Sequence, residues 1–473
     1  MKQSIEFKKA GALMLEKNIV TDVLTAALST GGSFAEVFIE NTVSNRVSMV
    51  NNIVETALTD LEHGCGIRIF DGLNAVYAFT NDTSKENLIK IAKEAAATVK
   101  ERKNSKVIQF DIRNFDNISP MSKPYKYVAK SNIVDMLRLG MIQASTYEKI
   151  TGTSATYIDV TSDVLVANSQ GVWGVDKRNR TRSSITAIAS NGDEKQTASR
   201  APGSQLGFEF YDNIDFKSLG DSTAQEALKM LSAGYAPGKK ITVVIDNGFG
   251  GVIFHEACGH SLEATSIAKG ASEFCGKLNM PIANSIVTAI DDGTMPHEWG
   301  SMNMDDEGAL PQRNVLIENG VCRSYLIDKL NGLRMNMAPT GSGRRQNYRF
   351  APTSRMTNTY IAPGNDKRED IIASTEYGLY AKHMGGGSVV PGTGEFNFMV
   401  LEAYMIRNGK IAEPVRGASL IGKGSEVLMN IDRISSDMTM ESGMCGSLSG
   451  SIPTNVGQPM IRVQDILVGG RGQ

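Results

Sequence analysis

Charge of one sign is missing from this 473-residue sequence. Lysine and arginine number 49, aspartate and glutamate 51, for a net charge of −2. Neither a polycation nor a polyanion fits that balance, which argues against nucleic acid as an obligate partner. Cysteine is scarce. The five, at positions 65, 258, 275, 322 and 445, are odd in number, scattered and without a CxxC pair. That is the usage of a reduced, intracellular chain. Long apolar runs are absent, and none approaches the ~20 residues of a membrane span. The opening MKQSIEFKKAGALMLEKNIV breaks its apolar residues with Lys and Glu, so it has no signal-peptide core. These absences imply a soluble, cytoplasmic protein with no membrane partner. Nucleotide loops are missing as well. NGFGG at 247–251 falls short of GxGxxG, and there is no Walker A motif. The acidic residues Asp291, Asp292, Asp305, Asp306 and Glu307 lack EF-hand spacing and read as turn chemistry.

What is present is globular. Apolar residues make up 41% and charged residues 21%, which excludes disorder for the bulk of the chain. At roughly 150 residues per domain the length suggests two to four domains. Glycine is plentiful at 47 and proline is not, at 14, which implies many tight turns and close backbone approaches.

Residues 21–30 read as a helix stopped by Gly31-Gly32. The stretches 35–40, 46–57 and 66–79 read as strands, the last turning at Asp71-Gly72. Thr83 and Glu86 form a capping box for a helix, and a further helix runs from about Asn132 to Thr146. Alternating polar and apolar residues over 153–212 imply antiparallel strands. Thr223 and Glu226 open a helix that Gly234 and Pro237 stop. The main boundary is expected there. Residues 1–236 are expected to form a mixed α/β N-terminal domain and 237–473 a β-rich C-terminal domain. In the latter, KKITVVID and a glycine turn lead into one central helix. The fold class is α+β.

Histidine is the scarce residue that informs most. Of five, two stand five apart in His255-Glu256-Ala257-Cys258-Gly259-His260. Two imidazoles and a carboxylate are the ingredients of zinc hydrolysis. In the common HExxH helix the histidines are four apart and share a face. Five apart, at ~100° per residue, they stand roughly 140° apart on an α-helix. A π-bulge would bring them back together, and Gly259 would make such a distortion cheap. Glu256 could then take a proton from the attacking water. The bland alternative is a helix whose histidines are satisfied in the core or by solvent. A third ligand is open at this point among Glu263, Cys258, Cys275, His297, His383 and Cys445. Cys445 sits in GMCGSLSG, where glycines let the backbone bring a soft thiolate close to an ion.

HEACGHSLEATSIAKG, DDGTMPHEWGSMNMDDEG, LIENGVCRSYLIDKLN, MAPTGSGRRQNY, SRMTNTYIAPG, GGGSVVPGTGEFNF and the terminal CGSLSG…GQPMIRV together resemble the TldD/PmbA family of metalloproteases. The order and spacing match from about 240 onward, and AEVFIENTVSNRVSMVNNIVETALTDLEHGCGIRIFDG resembles that family's N-terminal domain. Because HExxxH is intact, the chain resembles the proteolytic TldD type rather than the PmbA type, which lacks a complete site. The resemblance implies an α+β fold and zinc held by His255, His260 and Cys445. It implies Glu256 as general base and Glu263 as a hydrogen-bond partner of a ligand. It further implies unfolded or flexible peptides as substrate and a dimer with itself or a PmbA-like partner. One departure is visible: after Cys445-Gly446 the family often carries Lys and then Gln, where this chain has Ser447-Leu448-Ser449-Gly450.

Other features read more plainly. The basic run Lys177–Arg182 reads as a solvated strand edge. Arg344-Arg345 reads as structural ion pairing, with peptide carboxylate binding as the sharper alternative. His297 reads as loop surface, and Met438, Met440 and Met444 as core filling. Set against the enzyme stands a non-catalytic binding subunit with a structural zinc, which would need four protein ligands.

Overall fold

The computed structural model describes residues 15–100 and 105–470. The first fourteen residues of the opening segment read above lie outside them. The architecture is mixed α and β, as the pattern implies. Its first half is one large, almost wholly antiparallel sheet. The strands are β1 (Phe34–Val50), β2 (Ile53–Asp71), β3 (Asn74–Thr80), β4 (Asp111–Arg113), β5 (Ile150–Asn168) and β6 (Val172–Ser190). They lie in the order β3-β2-β1-β5-β6-β4, and Lys195–Arg200 and Gly203–Ser204 also pair with β6.

The period-2 alternation of these strands divides the sheet into two unlike faces. One face carries Val37, Ile39, Val47, Met49, Ile67, Ile69, Tyr157 and Ile185. It packs under four helices: α1 (Lys17–Ala27), α2 (Lys85–Ala97), α3 (Lys130–Ala144) and α4 (Phe216–Ser232). The other face carries Glu36, Phe38, Arg68, Val164, Val166 and Arg178, and packs against the second half of the chain.

Several local expectations are corrected. Residues 46–57 are two strands, because Asn51 and Asn52 take positive φ (47° and 65°) and turn the chain into a hairpin. The Asp71-Gly72 turn is where it was expected, with Gly72 at φ 62°. Ser84, not Thr83, precedes α2, and the Thr83 hydroxyl instead meets His63 Nε2 at 2.7 Å. Helix α4 begins at Phe216, capped by Asp215, whose carboxylate accepts from the backbone N–H groups of Lys217 and Ser218. Thr223 is buried in its interior and donates back to the Leu219 carbonyl. The arginines of the basic run do not form a solvated face. In β6, Lys177 to Arg180 pair with β5 alone while Thr181 and Arg182 also pair with Gly203–Ser204, and Arg178, Arg180 and Arg182 share the face that meets the second half.

In the second half the strands Tyr377–Val390, Lys239–Ile245, Ile461–Gly469, Ser419–Lys423 and Glu395–Arg407 pair in turn. The last pairs back to the first, so the ring closes. Their inner residues share one core with Phe254, Ala257, Cys258 and Leu262 of the central helical segment. A six-stranded sheet lies beside this ring, and Thr439–Ser447, which carries Cys445, is its outermost strand.

Candidate metal centre

The strand Lys239–Ile245 delivers the chain into the turn Gly248–Gly251 and then into a broken helix. Val252–Phe254 is α-helical, His255–Gly259 is a π-helical turn, and His260–Leu262 is a tight 3-10 turn. The His260 N–H donates to the His255 carbonyl, an i→i+5 bond. That one wide turn removes the angular mismatch of the five-residue spacing. The two imidazole rings lie 5.1 Å apart between centroids and nearly perpendicular, at 81°. Gly259 serves a different purpose from the one expected. Its φ of −58° is ordinary helix, so no special backbone freedom is used. A Cβ there would stand 2.2 Å from Met356 Sδ, and glycine is needed for that close packing.

Cys445 comes to the histidines from the edge strand of the neighbouring sheet, 190 residues from His255 in sequence. His255 Nε2 and His260 Nε2 each lie 3.2 Å from Cys445 Sγ. All three side chains are buried, and their donor atoms fall within 4.8 Å of one another. Tetrahedral zinc, with Zn–S ~2.3 Å and Zn–N ~2.0 Å, would hold its sulfur and nitrogen ligands about 3.5 Å apart. Both sulfur–nitrogen distances are therefore within a few tenths of an ångström of what zinc needs. The donors, two imidazoles and a soft sulfur, are zinc's usual set.

The electrostatics favour a thiolate. Burial pushes the Cys445 thiol up, but the His255 charge and hydrogen bonds from both imidazoles outweigh it, leaving the thiol at about 3. Burial works against a charged His260, yet the Glu263 carboxylate and the Cys445 hydrogen bond hold its imidazole well above the ordinary range. Glu263 Oε2 meets His260 Nδ1 at 3.1 Å and so orients the ring. His255 Nδ1 is buried without a hydrogen-bond partner among the described residues. Glu256 is 22% exposed and places Oε2 3.6 Å from His260 Nε2, on the side of the ring that faces the thiol.

The remaining candidates lie elsewhere. Cys258 faces the Gly424 carbonyl within the core, and Cys275 faces the Ile267 carbonyl. His383 sits with Arg200 and Glu226 where the two halves meet. His297 takes positive φ in a loop whose backbone is held by Ser119, Ser204 and Gln205. Arg344 and Arg345 are buried. Arg344 donates to the carbonyls of Met356 and Pro453, and Arg345 to Glu36 Oε1 at 2.6 Å and to the Asp306 carbonyl. Structural pairing therefore uses both guanidinium groups. Asp306 and Glu307 do more than make turns: they accept from Arg178 and Arg68 across the halves. A cleft of about 750 Å³ is lined by Phe34, Phe70, Leu73, Lys329 and Met337 and touches none of the three donors.

One residue escaped the sequence reading. Arg355, fully buried, donates to the carbonyl of Cys445 itself. A single arginine in an irregular stretch has no periodicity to mark it, and although it stands in SRMTNTYIAPG, nothing in that segment's residue types points to a partner 90 residues away.

Three family models match the chain. The PmbA/TldA metallopeptidase C-terminal domain covers residues 237–470, domain 1 covers 35–99, and the central domain covers 79–231. A metalloprotease TldD homolog from Buchnera aphidicola (subsp. Schizaphis graminum) is 32% identical over 450 residues, 92% of each chain. A zinc metalloprotease TldD homolog from Saccharolobus solfataricus is 29% identical over 61% of this chain and 64% of its own. The crystal structure of TldE from Thermococcus kodakarensis shares the fold, with a TM-score of 0.75 at 16% identity over 96% of this chain and 100% of its own.

Proposed function

This chain belongs to the TldD/PmbA metallopeptidase family, and from that membership we propose that it is a zinc-dependent protease of unfolded or flexible peptides. The convergence of two imidazoles on one buried thiol, with a carboxylate beside them, carries the reading. His255, His260 and Cys445 would hold the ion. Bound there, zinc supplies Lewis acidity toward water and toward a peptide carbonyl. Of the two carboxylates that meet His260, Glu256 is the one more open to solvent, at 22% against 4% for Glu263. It accepts the proton of the attacking water and returns it to the leaving amine. Glu263, deeper and bonded to His260 Nδ1, keeps that ring's Nε2 aimed at the centre.

The alternative, a binding subunit with a structural zinc, would need a fourth protein donor. The cluster among the described residues holds three. We also propose a dimer, with a second copy or a PmbA-like chain. Residues 53–62 of β2 lie beyond the reach of β3 and leave Ile53, Leu58 and Leu61 more than half exposed.

The test is metal content and cleavage of a denatured casein-like substrate, with and without an added PmbA-type chain. Wild type is expected to hold about one zinc per chain. Cys445→Ser should lose it. Glu256→Gln should keep it and lose at least about 100-fold in rate. A fully active Glu256→Gln would overturn the base, and activity only after mixing would assign the heterodimer.

A further inference from the structure

Arg355 is the hub of contacts behind the three donors. It has no exposure at all. One terminal nitrogen donates to the Cys445 carbonyl at 2.5 Å. The other donates to Ser449 Oγ and to the Gly450 carbonyl, each at 3.0 Å. Those atoms belong to the hairpin of Thr439–Ser447 and Gly450–Gln458 that carries the thiol. On its opposite edge, Arg355 Nε faces Glu263 Oε1 at 3.8 Å. Neither of these two buried atoms has a hydrogen-bond partner among the described residues. The other Glu263 oxygen is the one that holds His260.

A single guanidinium thus joins the backbone of the thiol donor to the carboxylate that aims an imidazole donor. One side is an edge strand of the six-stranded sheet and the other the end of the broken helix, 182 residues apart in sequence, 263 to 445. Only a planar fork with several fixed N–H groups can span both; a lysine ammonium offers one point of charge on a flexible stem. Arg355 touches none of the donor atoms, so any influence on the centre passes through Cys445 and Glu263.

We infer that Arg355 is the positioning residue of the metal centre: it sets where the Cys445 sulfur stands relative to the two imidazoles. The inference rests on the proposed metal reading. Loss of the fork frees the hairpin's tip and the Cys445 carbonyl together. The thiol then reaches the histidines from a spread of positions, and the cage is no longer formed in advance. Outer contacts of this kind are worth about 10-fold to 100-fold in metal affinity.

The experiment is titration of the full chain with Co(II), following the thiolate-to-cobalt charge-transfer absorption. Wild type should show the band at saturation. Arg355→Lys should bind about 10-fold to 100-fold more weakly and show a weaker band per bound cobalt. A merely structural arginine would lower the melting temperature and leave the band per bound cobalt intact. A wild-type band in Arg355→Lys at saturation therefore overturns the inference. Should that variant not fold, Ser449→Ala removes one anchor and keeps the arginine. A weaker band there supports the inference, and an unchanged band and affinity overturn it. A wild-type chain that shows no thiolate band overturns the metal reading itself, and this inference with it.

Discussion

Gly259 sits one residue before a histidine of the centre, and its hydrogen atom faces the sulfur of Met356. Met356 is itself buried, and its carbonyl is held by Arg344, so it cannot swing aside freely. Gly259→Ala is expected to cost about 1–3 kcal/mol through overpacking, read as a shift in the urea midpoint at unchanged slope. The same residue shows where reading by type alone stops. The spacing of His255 and His260 demanded a widened turn, and the turn is there. Glycine beside it suggested a flexible backbone, but the backbone is regular and the constraint is a side chain 97 residues on, 259 to 356. Spacing is local and legible. A contact of that reach is not. Arg355 belongs to the same class, since its meaning lies wholly in what it touches: two carbonyls, one hydroxyl and one carboxylate from distant segments.

At the scale of elements, alternation told which residues share a face but not what covers that face. Lys177, Arg178, Asn179, Arg180 and Arg182 alternate as a solvated strand would. The structure turns Arg178, Arg180 and Arg182 onto carbonyls and carboxylates of the second half, among them Asp306, Ser301 and Ser442. A strand that buries its polar face against charged loops has the pattern of one that faces water. Helix starts were misjudged for a related reason. The Thr223–Glu226 pair has the form of a capping box, yet Asp215 eight residues earlier caps the helix. The buried Phe216, Gly220 and Thr223 between them extend the packed side to the true start. Asp215→Ala should therefore cost about 1 kcal/mol, measured by thermal or urea unfolding.

Over the whole molecule, the two halves meet through buried charge. Glu36 binds Arg68 and Arg345, Glu307 binds Arg68, and Asp306 binds Arg178. Glu40, on the same sheet face, makes no ion pair among the described residues. It accepts from the Tyr348 N–H at 2.8 Å. Burial pushes its carboxyl up to about 7; that hydrogen bond and Arg178 oppose the rise, while Glu62 and Asp306 add to it. The folded chain thus keeps a proton that the unfolded chain releases near 4.5. Glu40 accordingly lowers stability progressively as pH rises from about 4.5 to about 7, and the penalty is constant above that. Glu40→Gln should match wild type near pH 4.5 and exceed it at pH 8 by on the order of 3 kcal/mol, visible in melts across that range. Equal melting temperatures at both pH values would contradict this account. The separation of the donors along the chain has a consequence in time as well. His255, Glu256 and His260 are made 190 to 185 residues before Cys445. At about 5–20 residues per second of synthesis, a growing polypeptide carries its imidazoles and its carboxylate for about 10–40 s before the sulfur exists. On the proposed metal reading, the nascent chain lacks one donor throughout that time, so no complete centre can form until its synthesis is nearly over.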